Sequence, residues 1–194
     1  MKRLRVFPVA VASFALFVAG CGQSQAIGHS APTKPASKTV ASNKTTRVLR
    51  MGATAYQGSA NLNKYEQQAS THQQSYEAQI AAGTAAEVNN DPQKAIQYWQ
   101  QAIKIDPKKG NPYEYIGNIY LEDYNNPKEA MTWYKKSITY GPSYDYGWYR
   151  VVQLEVQFGN MPAAKKYAAE AAKVLPKDNK VLANLETFVA PKKG

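Results

Sequence analysis

From residue 76 onward the chain alternates between runs of about 14 residues with apolar positions three and four apart and short polar turns. In one of these runs the stripe consists of Ala130, Trp133, Tyr134, Ser137 and Ile138. A spacing of three and four places side chains on one face of a helix, so each run predicts an amphipathic helix. Because no obvious strand pattern accompanies these runs, we expect an all-α fold.

The helical runs repeat at a nearly constant interval. Three segments end in a proline, and the prolines are 35 and 34 residues apart: Pro107, Pro142 and Pro176. Each segment also places an alanine twelve residues before its proline, at Ala95, Ala130 and Ala164. Since proline cannot continue a helix, these positions predict helix ends at fixed intervals.

Each repeat also carries a helix-start signal between its two helical runs. Asp91, Asn126 and Asn160 occupy equivalent places, and their side chains are favoured N-caps. The pattern therefore predicts a helical hairpin in each repeat. At the crossing of its two helices we expect a small-residue contact, between Gly83 and Ala95 in the first repeat and between Gly117 and Ala130 in the second.

A 34-residue period with these anchors resembles the tetratricopeptide repeat. The resemblance implies three hairpins, at about 76–107, 110–142 and 145–176, which stack because one hairpin cannot bury its own apolar face. Residues 178–190 predict a helix that covers the end of the stack, with Asp178 or Asn179 as its cap. Its apolar face comprises Val181, Leu182, Leu185, Phe188 and Val189. The folded domain thus spans residues 76–190.

Residues 61–75 precede the repeats and are rich in glutamine. They predict either a backward extension of the first repeat helix or a separate helix, and the sequence does not decide between the two.

The resemblance also implies where a partner binds. In this family the first helix of each hairpin lines a concave groove, which would take a peptide in extended or helical form. Carried over to this chain, the groove positions are Glu77, Ile80, Thr84, Glu87, Glu114, Tyr115, Asn118, Glu122, Tyr146, Tyr149, Arg150 and Gln153. Asn118 resembles the asparagine with which family members hydrogen-bond the main chain of a ligand. Of the positions that form the family's carboxylate clamp, only Arg150 fits, so we expect no clamp.

Tyrosines are concentrated near this groove, and two roles divide them. We expect Tyr120 and Tyr134 to fill the core, and Tyr144, Tyr146 and Tyr149 to face a partner. Tyr and Arg are enriched at binding hot spots. Replacing Tyr149 and Arg150 with alanine should therefore abolish partner capture without lowering the helical content.

The amino-terminal residues predict export and a lipid anchor. Three positive charges precede a run of fifteen uncharged residues, 6–20, which is too short for a permanent membrane span. The end of this run and the next residue, Val18–Cys21, resemble the bacterial lipobox. In a lipobox the cysteine receives a diacylglycerol, and cleavage before it makes it the first residue of the mature protein. Cys21 is the only cysteine of the chain, so we interpret it as an anchor and residues 1–20 as a signal peptide. An incidental thiol after an ordinary signal peptide is the alternative.

Residues 21–60 are small, polar and punctuated by prolines, which predicts a disordered linker. The linker accounts for much of the charge of the chain. Of the formal net charge of +10, residues 1–50 contribute eight Lys and Arg without an acid, whereas residues 76–194 balance 15 basic against 13 acidic residues. Because the folded part is nearly neutral, nucleic acid is a poor candidate partner.

Nothing in the sequence predicts catalysis, a metal site or a cofactor. The only histidines are His29, in the linker, and His72, in the glutamine-rich stretch. With Cys21 lipidated, these residues form neither a metal cluster nor a Cys–His pair. We therefore expect a non-enzymatic protein.

These features together predict an exported, membrane-anchored scaffold that binds a peptide or protein in the groove during assembly of a bacterial envelope machine. The anchor would hold the protein to the cell membrane or the outer membrane, and Gly22 after the cysteine, in place of an aspartate, favours the outer membrane where one exists. Capture of a solute or cell-wall fragment by the tyrosine-rich groove is the alternative function. The oligomeric state is left open.

Overall fold

The computed structural model describes residues 53–190. They form a short 3-10 helix, Ala53–Tyr56, and the helices α1 (Ser59–Thr71), α2 (Tyr76–Val88), α3 (Pro92–Ile105), α4 (Asn111–Glu122), α5 (Pro127–Tyr140), α6 (Asp145–Gln157), α7 (Met161–Val174) and α8 (Lys180–Val189). Within these residues the helices are joined by turns alone, with no strand. The predicted all-α class is confirmed.

Three helical hairpins make up most of the stack. Helices α2 and α3, α4 and α5, and α6 and α7 pack against each other in pairs. Successive pairs are joined by packing of α3 on α4 and of α5 on α6, and α4 also contacts α6. The first helices of the hairpins therefore share one side of the stack, where the groove was expected.

The turn inside each hairpin is built the same way three times. One residue adopts a left-handed backbone, with φ of 67° at Asn90, 48° at Asn125 and 74° at Gly159. The next residue accepts a hydrogen bond at the start of the second helix: Asp91 from the Lys94 amide, Asn126 from the Glu129 amide and Asn160 from the Ala163 amide. The predicted N-caps are confirmed, and they fix where each second helix begins.

Two glycines allow the helices of the first two hairpins to approach closely. A Cβ at Gly83 would overlap the Trp99 indole, and one at Gly117 would overlap the Tyr134 ring. The aromatic residue four positions after each predicted contact alanine, Ala95 or Ala130, thus fills the space that the glycine leaves.

Two groups of buried side chains form the core. The first lies within the first hairpin and α4 and comprises Ala86, Ala95, Trp99, Ile116 and Ile119. The second joins α5 to α8 and comprises Ala130, Met131, Tyr134, Ile138, Trp148, Val151, Val152, Leu154, Ala164, Ala171, Leu175, Val181 and Leu185. Tyr120 packs against both groups. Each hairpin thus completes its burial against a neighbour, as a stack requires.

The glutamine-rich residues form a separate helix, α1, which packs on α2. Ser75 ends the intervening turn and caps α2 by accepting a hydrogen bond from the Ala78 amide at 3.2 Å. Buried Gln79 holds the two helices together, because its Nε2 donates to the Ala69 carbonyl at 3.1 Å. Lys94 of α3 adds an ion pair to Glu66 of α1 at 2.8 Å.

The predicted linker boundary at residue 60 lies too far along the chain. Asn89 explains why structure starts earlier: its Nδ2 donates to the Tyr56 carbonyl at 2.9 Å and its Oδ1 accepts from the Gly58 amide at 2.8 Å. The Tyr56 ring also packs on the Tyr65 ring, with centroids 4.8 Å apart and the planes tilted by 32°, which adds a second attachment. Composition alone did not reveal these contacts with residues far along the chain.

Helix α8 closes the carboxyl-terminal end. Asn179, one of the two expected caps, accepts from the Val181 amide at 2.8 Å and donates to Asp145 Oδ2 at 3.0 Å. Val181 and Leu185 are buried against the stack, and the Phe188 ring lies 5.4 Å from that of Tyr149. This helix therefore covers apolar surface of the last hairpin.

The signal peptide, Cys21 and the linker up to residue 52 lie outside the described residues, so their assignments stay predictions. Among the helices within 53–190, none combines the length and the apolar character that a membrane crossing needs.

Candidate functional site

A cavity of about 380 Å³ opens on the side shared by the first helices of the hairpins. Its lining comprises Tyr56, Ile80, Thr84, Glu87, Glu114, Tyr115, Asn118, Tyr144, Tyr146 and Arg150. Eight of these ten residues are predicted groove positions. Residues from α2, α4 and α6 thus meet in one concave surface, which we call the groove cavity.

The other four predicted positions lie outside the groove cavity. Tyr149 and Gln153, with Tyr146 and Arg150, line a neighbouring depression that α8 completes with Val181 and Asn184. Glu122 lies behind Arg150, to whose guanidinium it is paired at 3.8 Å. Glu77 lines a separate depression between α1 and α2, beside Gln68 and His72.

Two lining residues were absent from the predicted groove positions. Tyr144 precedes α6 and was expected only to face a partner. Tyr56 belongs to the segment that we assigned to the linker, and no helix-periodic signal marks it. Its long-range hydrogen bond with Asn89 and its ring contact with Tyr65 hold it at the cavity.

Glu114 is the centre of the polar network in the cavity. The residue is 4% exposed, and its carboxylate accepts three hydrogen bonds. Asn118 Nδ2 donates to Oε1 at 2.7 Å, Arg150 Nε donates to Oε1 at 3.1 Å, and the Tyr144 hydroxyl donates to Oε2 at 3.3 Å. A buried carboxylate requires such donors, because desolvation otherwise disfavours its charged form.

Arg150 is itself nearly buried, with 12% of its side chain exposed. Burial acts to lower its pKa, but the charges of Glu114 and Glu122 outweigh burial and raise the pKa above its ordinary value. Its Nη1 also donates to Gln153 Oε1 at 3.2 Å. Removal of the Arg150 side chain would leave Glu114 buried without its cation, so we expect its alanine variant to lose stability.

Asn118 is engaged by its own protein on both sides of its amide. While Nδ2 donates to Glu114, Oδ1 accepts from the Tyr134 hydroxyl at 2.8 Å. This arrangement ties the groove to the core of the second hairpin. The main-chain-binding role that the resemblance implies for Asn118 would require these bonds to be shared or exchanged.

Burial raises the pKa of three tyrosines in or near the groove, Tyr144, Tyr115 and Tyr76, and so favours their neutral form. Burial raises the pKa of Tyr144, and the nearby Glu114 carboxylate raises it further. Burial, followed by Glu114, likewise raises the pKa of Tyr115. Tyr76, at the start of α2, also has a raised pKa because of burial, and its hydroxyl donates to Asn111 Oδ1 at 2.6 Å.

The lining of the groove cavity thus combines tyrosine rings with the carboxylates of Glu87 and Glu114. Tyrosine faces attract cations as well as apolar groups, and buried carboxylates favour the same cations. Within residues 53–190 no group of three or more His, Cys, Asp or Glu is placed to hold a metal ion. The arrangement suits a peptide or a small organic ligand with a basic group.

Comparison with solved structures agrees with the architecture. The chain aligns with the crystal structure of MamA at 20% identity and a TM-score of 0.51, covering 66% of this chain and 72% of that one. It aligns with TTC0263, a thermophilic TPR protein of Thermus thermophilus, at 12% identity and a TM-score of 0.56, covering 74% and 77%.

A third match is the Cut9–Hcn1 hetero-tetramer of APC/C, at 17% identity and a TM-score of 0.53, covering 75% of this chain and 30% of that one. No family model and no curated protein sequence matches the chain. The fold is an all-α tetratricopeptide-type stack.

At these identities the likeness concerns the fold alone, so the chemistry of the groove must be argued from this chain. The tetratricopeptide stack explains why α2, α4 and α6 face one side. It does not explain why that side carries a buried Glu114–Arg150 pair, which is a property of these particular residues.

Proposed function

We propose that this chain is a membrane-anchored protein–protein interaction scaffold that binds a peptide segment of a partner protein in the groove cavity. The observation that carries the proposal is the convergence of α2, α4 and α6 on one cavity lined by four tyrosines and a polar network. Cavities of roughly 300–1,000 Å³ with a few convergent polar groups are typical binding sites. Assembly of an envelope machine is the setting that we infer for such a scaffold.

Tyr146 is the residue best placed to contact a partner first. It lines the cavity, yet the residue is 54% exposed, and its ring lies 6.1 Å from Tyr144 and 6.3 Å from Tyr149. An exposed aromatic side chain beside other aromatic side chains is a common anchor at interfaces.

Site-specific photo-crosslinking in cells tests the groove. A photoreactive phenylalanine analogue at position 146 should give a discrete crosslinked partner. The same analogue at position 140 is the matched control, because Tyr140 is 53% exposed but does not line the cavity. Identical adducts from both positions, or none from position 146, would contradict binding in the groove.

The anchor is supported by the sequence of residues 1–21. We propose that the protein is exported, cleaved before Cys21 and lipidated there. Mass spectrometry of the amino-terminal peptide should show a diacylglyceryl-modified cysteine. Cys21→Ser should move the protein from the membrane to the soluble fraction or leave it uncleaved, and unchanged fractionation would refute the anchor.

Capture of a cell-wall fragment or another solute is the second candidate function. The cavity volume and its four tyrosines favour it, since stacked aromatic walls accommodate small organic ligands. Isothermal titration of the purified protein with wall fragments distinguishes the two functions. Binding that Tyr146→Ala abolishes and Tyr140→Ala preserves would favour the solute function.

A catalytic role has less support than either. The buried carboxylate Glu114 is occupied by three donors of its own protein, which suits a structural group better than a general base. We therefore infer that the chain acts by binding.

A further inference from the structure

The chain enters the described structure beside the groove cavity. Ala53 begins the short 3-10 helix that ends at Tyr56, and Tyr56 lines the cavity. Asn89 fixes this entry point through hydrogen bonds to the Tyr56 carbonyl and the Gly58 amide. The described structure therefore begins three positions before a residue that lines the cavity.

Those preceding residues are strongly basic. The segment 44–52 reads KTTRVLRMG and contains three cations and no acid. Two apolar residues, Val48 and Leu49, separate Arg47 from Arg50. Such a segment offers both cationic and apolar groups to an aromatic and acidic surface.

The cavity and its immediate surroundings carry the opposite charge. Glu87 and Glu114 line it, and Glu122 lies behind Arg150. Three carboxylates against one guanidinium leave a net formal charge of −2 for these four groups. Glu87 also lies in the last turn of α2 and Glu122 ends α4, where the helix dipoles add partial negative charge.

The distances permit contact. Arg47 lies six positions before Ala53, and an extended chain spanning six positions reaches about 20 Å. Packed helices lie about 8–10 Å apart, so α2 and α6 on the two sides of α4 span a similar distance. A segment of this length is therefore long enough to bring Arg47 and Arg50 to the cavity.

We propose that the basic segment 44–52 of this chain occupies its own groove cavity and competes there with the partner. The proposal rests on the proposed function, since it names what regulates that same groove. Direct attachment gives the segment an effective concentration on the order of 1 mM. A dissociation constant of about 100 µM would then reduce the apparent affinity for a partner about tenfold.

A labelled peptide with the sequence of residues 44–52 tests the proposal on the full-length chain. In Arg47→Glu/Arg50→Glu the internal segment no longer competes, so the peptide should bind about tenfold more tightly than to the wild type. Lys34→Glu/Lys38→Glu is the matched control, because it makes the same charge change outside the segment and should bind as the wild type does. These variants alter no residue of the stack.

A second pair of variants locates the bound peptide. In the Arg47→Glu/Arg50→Glu background, Glu87→Gln should weaken peptide binding at least tenfold, and Tyr146→Ala should weaken it as well. Circular dichroism checks that each variant retains its helices. If Glu87→Gln unfolds, Tyr146→Ala still tests the cavity, because Tyr146 is exposed and its replacement should leave the fold intact. Loss of binding in high salt is expected too, because the attraction is between charges.

Three results would overturn the proposal: equal peptide affinity for all chains, no binding to Arg47→Glu/Arg50→Glu, or binding that neither cavity variant affects. Failure of the proposed function is a different outcome. If the peptide binds as expected but position 146 crosslinks to no partner in cells, the internal contact stands and the scaffold function falls. If a partner is captured equally by the two double variants, the competition is refuted and the scaffold function stands.

Discussion

The first two hairpins have the same close contact between a glycine and an aromatic ring, but the two rings differ in their hydrogen bonding. In each, a glycine of the first helix lies against a ring of the second: Gly83 against Trp99, and Gly117 against Tyr134. Both rings are fully buried. However, the Trp99 indole N–H has no hydrogen-bond partner within residues 53–190, whereas the Tyr134 hydroxyl donates to Asn118.

This difference determines which contacts connect the core of each hairpin to the groove. Trp99 reaches the cavity only by packing, with its ring 5.2 Å from that of Tyr115. Tyr134 is linked through Asn118 to Glu114 and from there to Arg150 of the third hairpin. The first hairpin therefore supplies a wall to the groove, whereas the second joins the groove to the core.

Breaking the Glu114–Arg150 pair should have the largest effect of the changes considered. Arg150→Ala leaves a buried carboxylate without its cation, and such changes cost about 3–5 kcal/mol of unfolding free energy. Urea denaturation followed by circular dichroism measures the loss.

The double variant Glu114→Gln/Arg150→Met separates the missing charge from the missing packing. It removes both charges, so we expect it to recover a large part of the stability. A double variant less stable than Arg150→Ala would show that the unpaired Glu114 is not the cause.

Adding a methyl group at either glycine should have the next largest effect. Gly83→Ala and Gly117→Ala both force a Cβ into a buried ring, and overpacking of this kind costs about 1–3 kcal/mol. We expect Gly117→Ala to be the more damaging, since displacement of the Tyr134 ring also strains its bond to Asn118. Equal decreases in the free energy of unfolding, measured by denaturation of both variants, would mean that strain in this hydrogen bond adds nothing to the cost of overpacking.

Removing one hydroxyl gives a smaller change and sharpens the comparison. Tyr134→Phe deprives the Asn118 carbonyl of its donor and should cost about 1 kcal/mol. Tyr113→Phe is the matched control, because it also removes one hydrogen bond, to the Pro107 carbonyl at 3.1 Å, and Tyr113 does not line the groove cavity. Only Tyr134→Phe should alter crosslinking from position 146, whereas a similar change in both would argue against the Tyr134–Asn118–Glu114 route.

Local and periodic features of this molecule were predictable from the sequence. The caps Asp91, Asn126 and Asn160 accept hydrogen bonds from residues only three positions away, so the local sequence is enough to predict their role. The groove side was also predictable, because a repeat that returns every 34 residues brings equivalent positions to one face.

Interactions between distant residues were not predictable in the same way. The burial of Arg150 depends on Glu114, 36 residues earlier, and nothing in the local sequence marks either side chain as buried. Likewise the position of Tyr56 at the cavity depends on its hydrogen bond with Asn89, 33 residues away. Pairing across hairpins depends on the geometry of stacking, which a single-sequence period does not specify.

The smallest predicted effect concerns pH and Tyr144. Because the folded state raises the pKa of Tyr144 above its ordinary value of about 10, the folded protein holds a proton that the unfolded chain releases above that pH. Stability from this group is therefore intact below pH 10 and decreases as the pH rises, by roughly 0.8 kcal/mol at pH 10.5.

Tyr144→Phe removes the titrating group, so its free energy of unfolding should decrease less between pH 9 and 10.5 than that of the wild type. Parallel curves for Tyr144→Phe and the wild type would mean that Tyr144 ionises as readily in the folded protein as in the unfolded chain, and that its hydroxyl is not held beside Glu114.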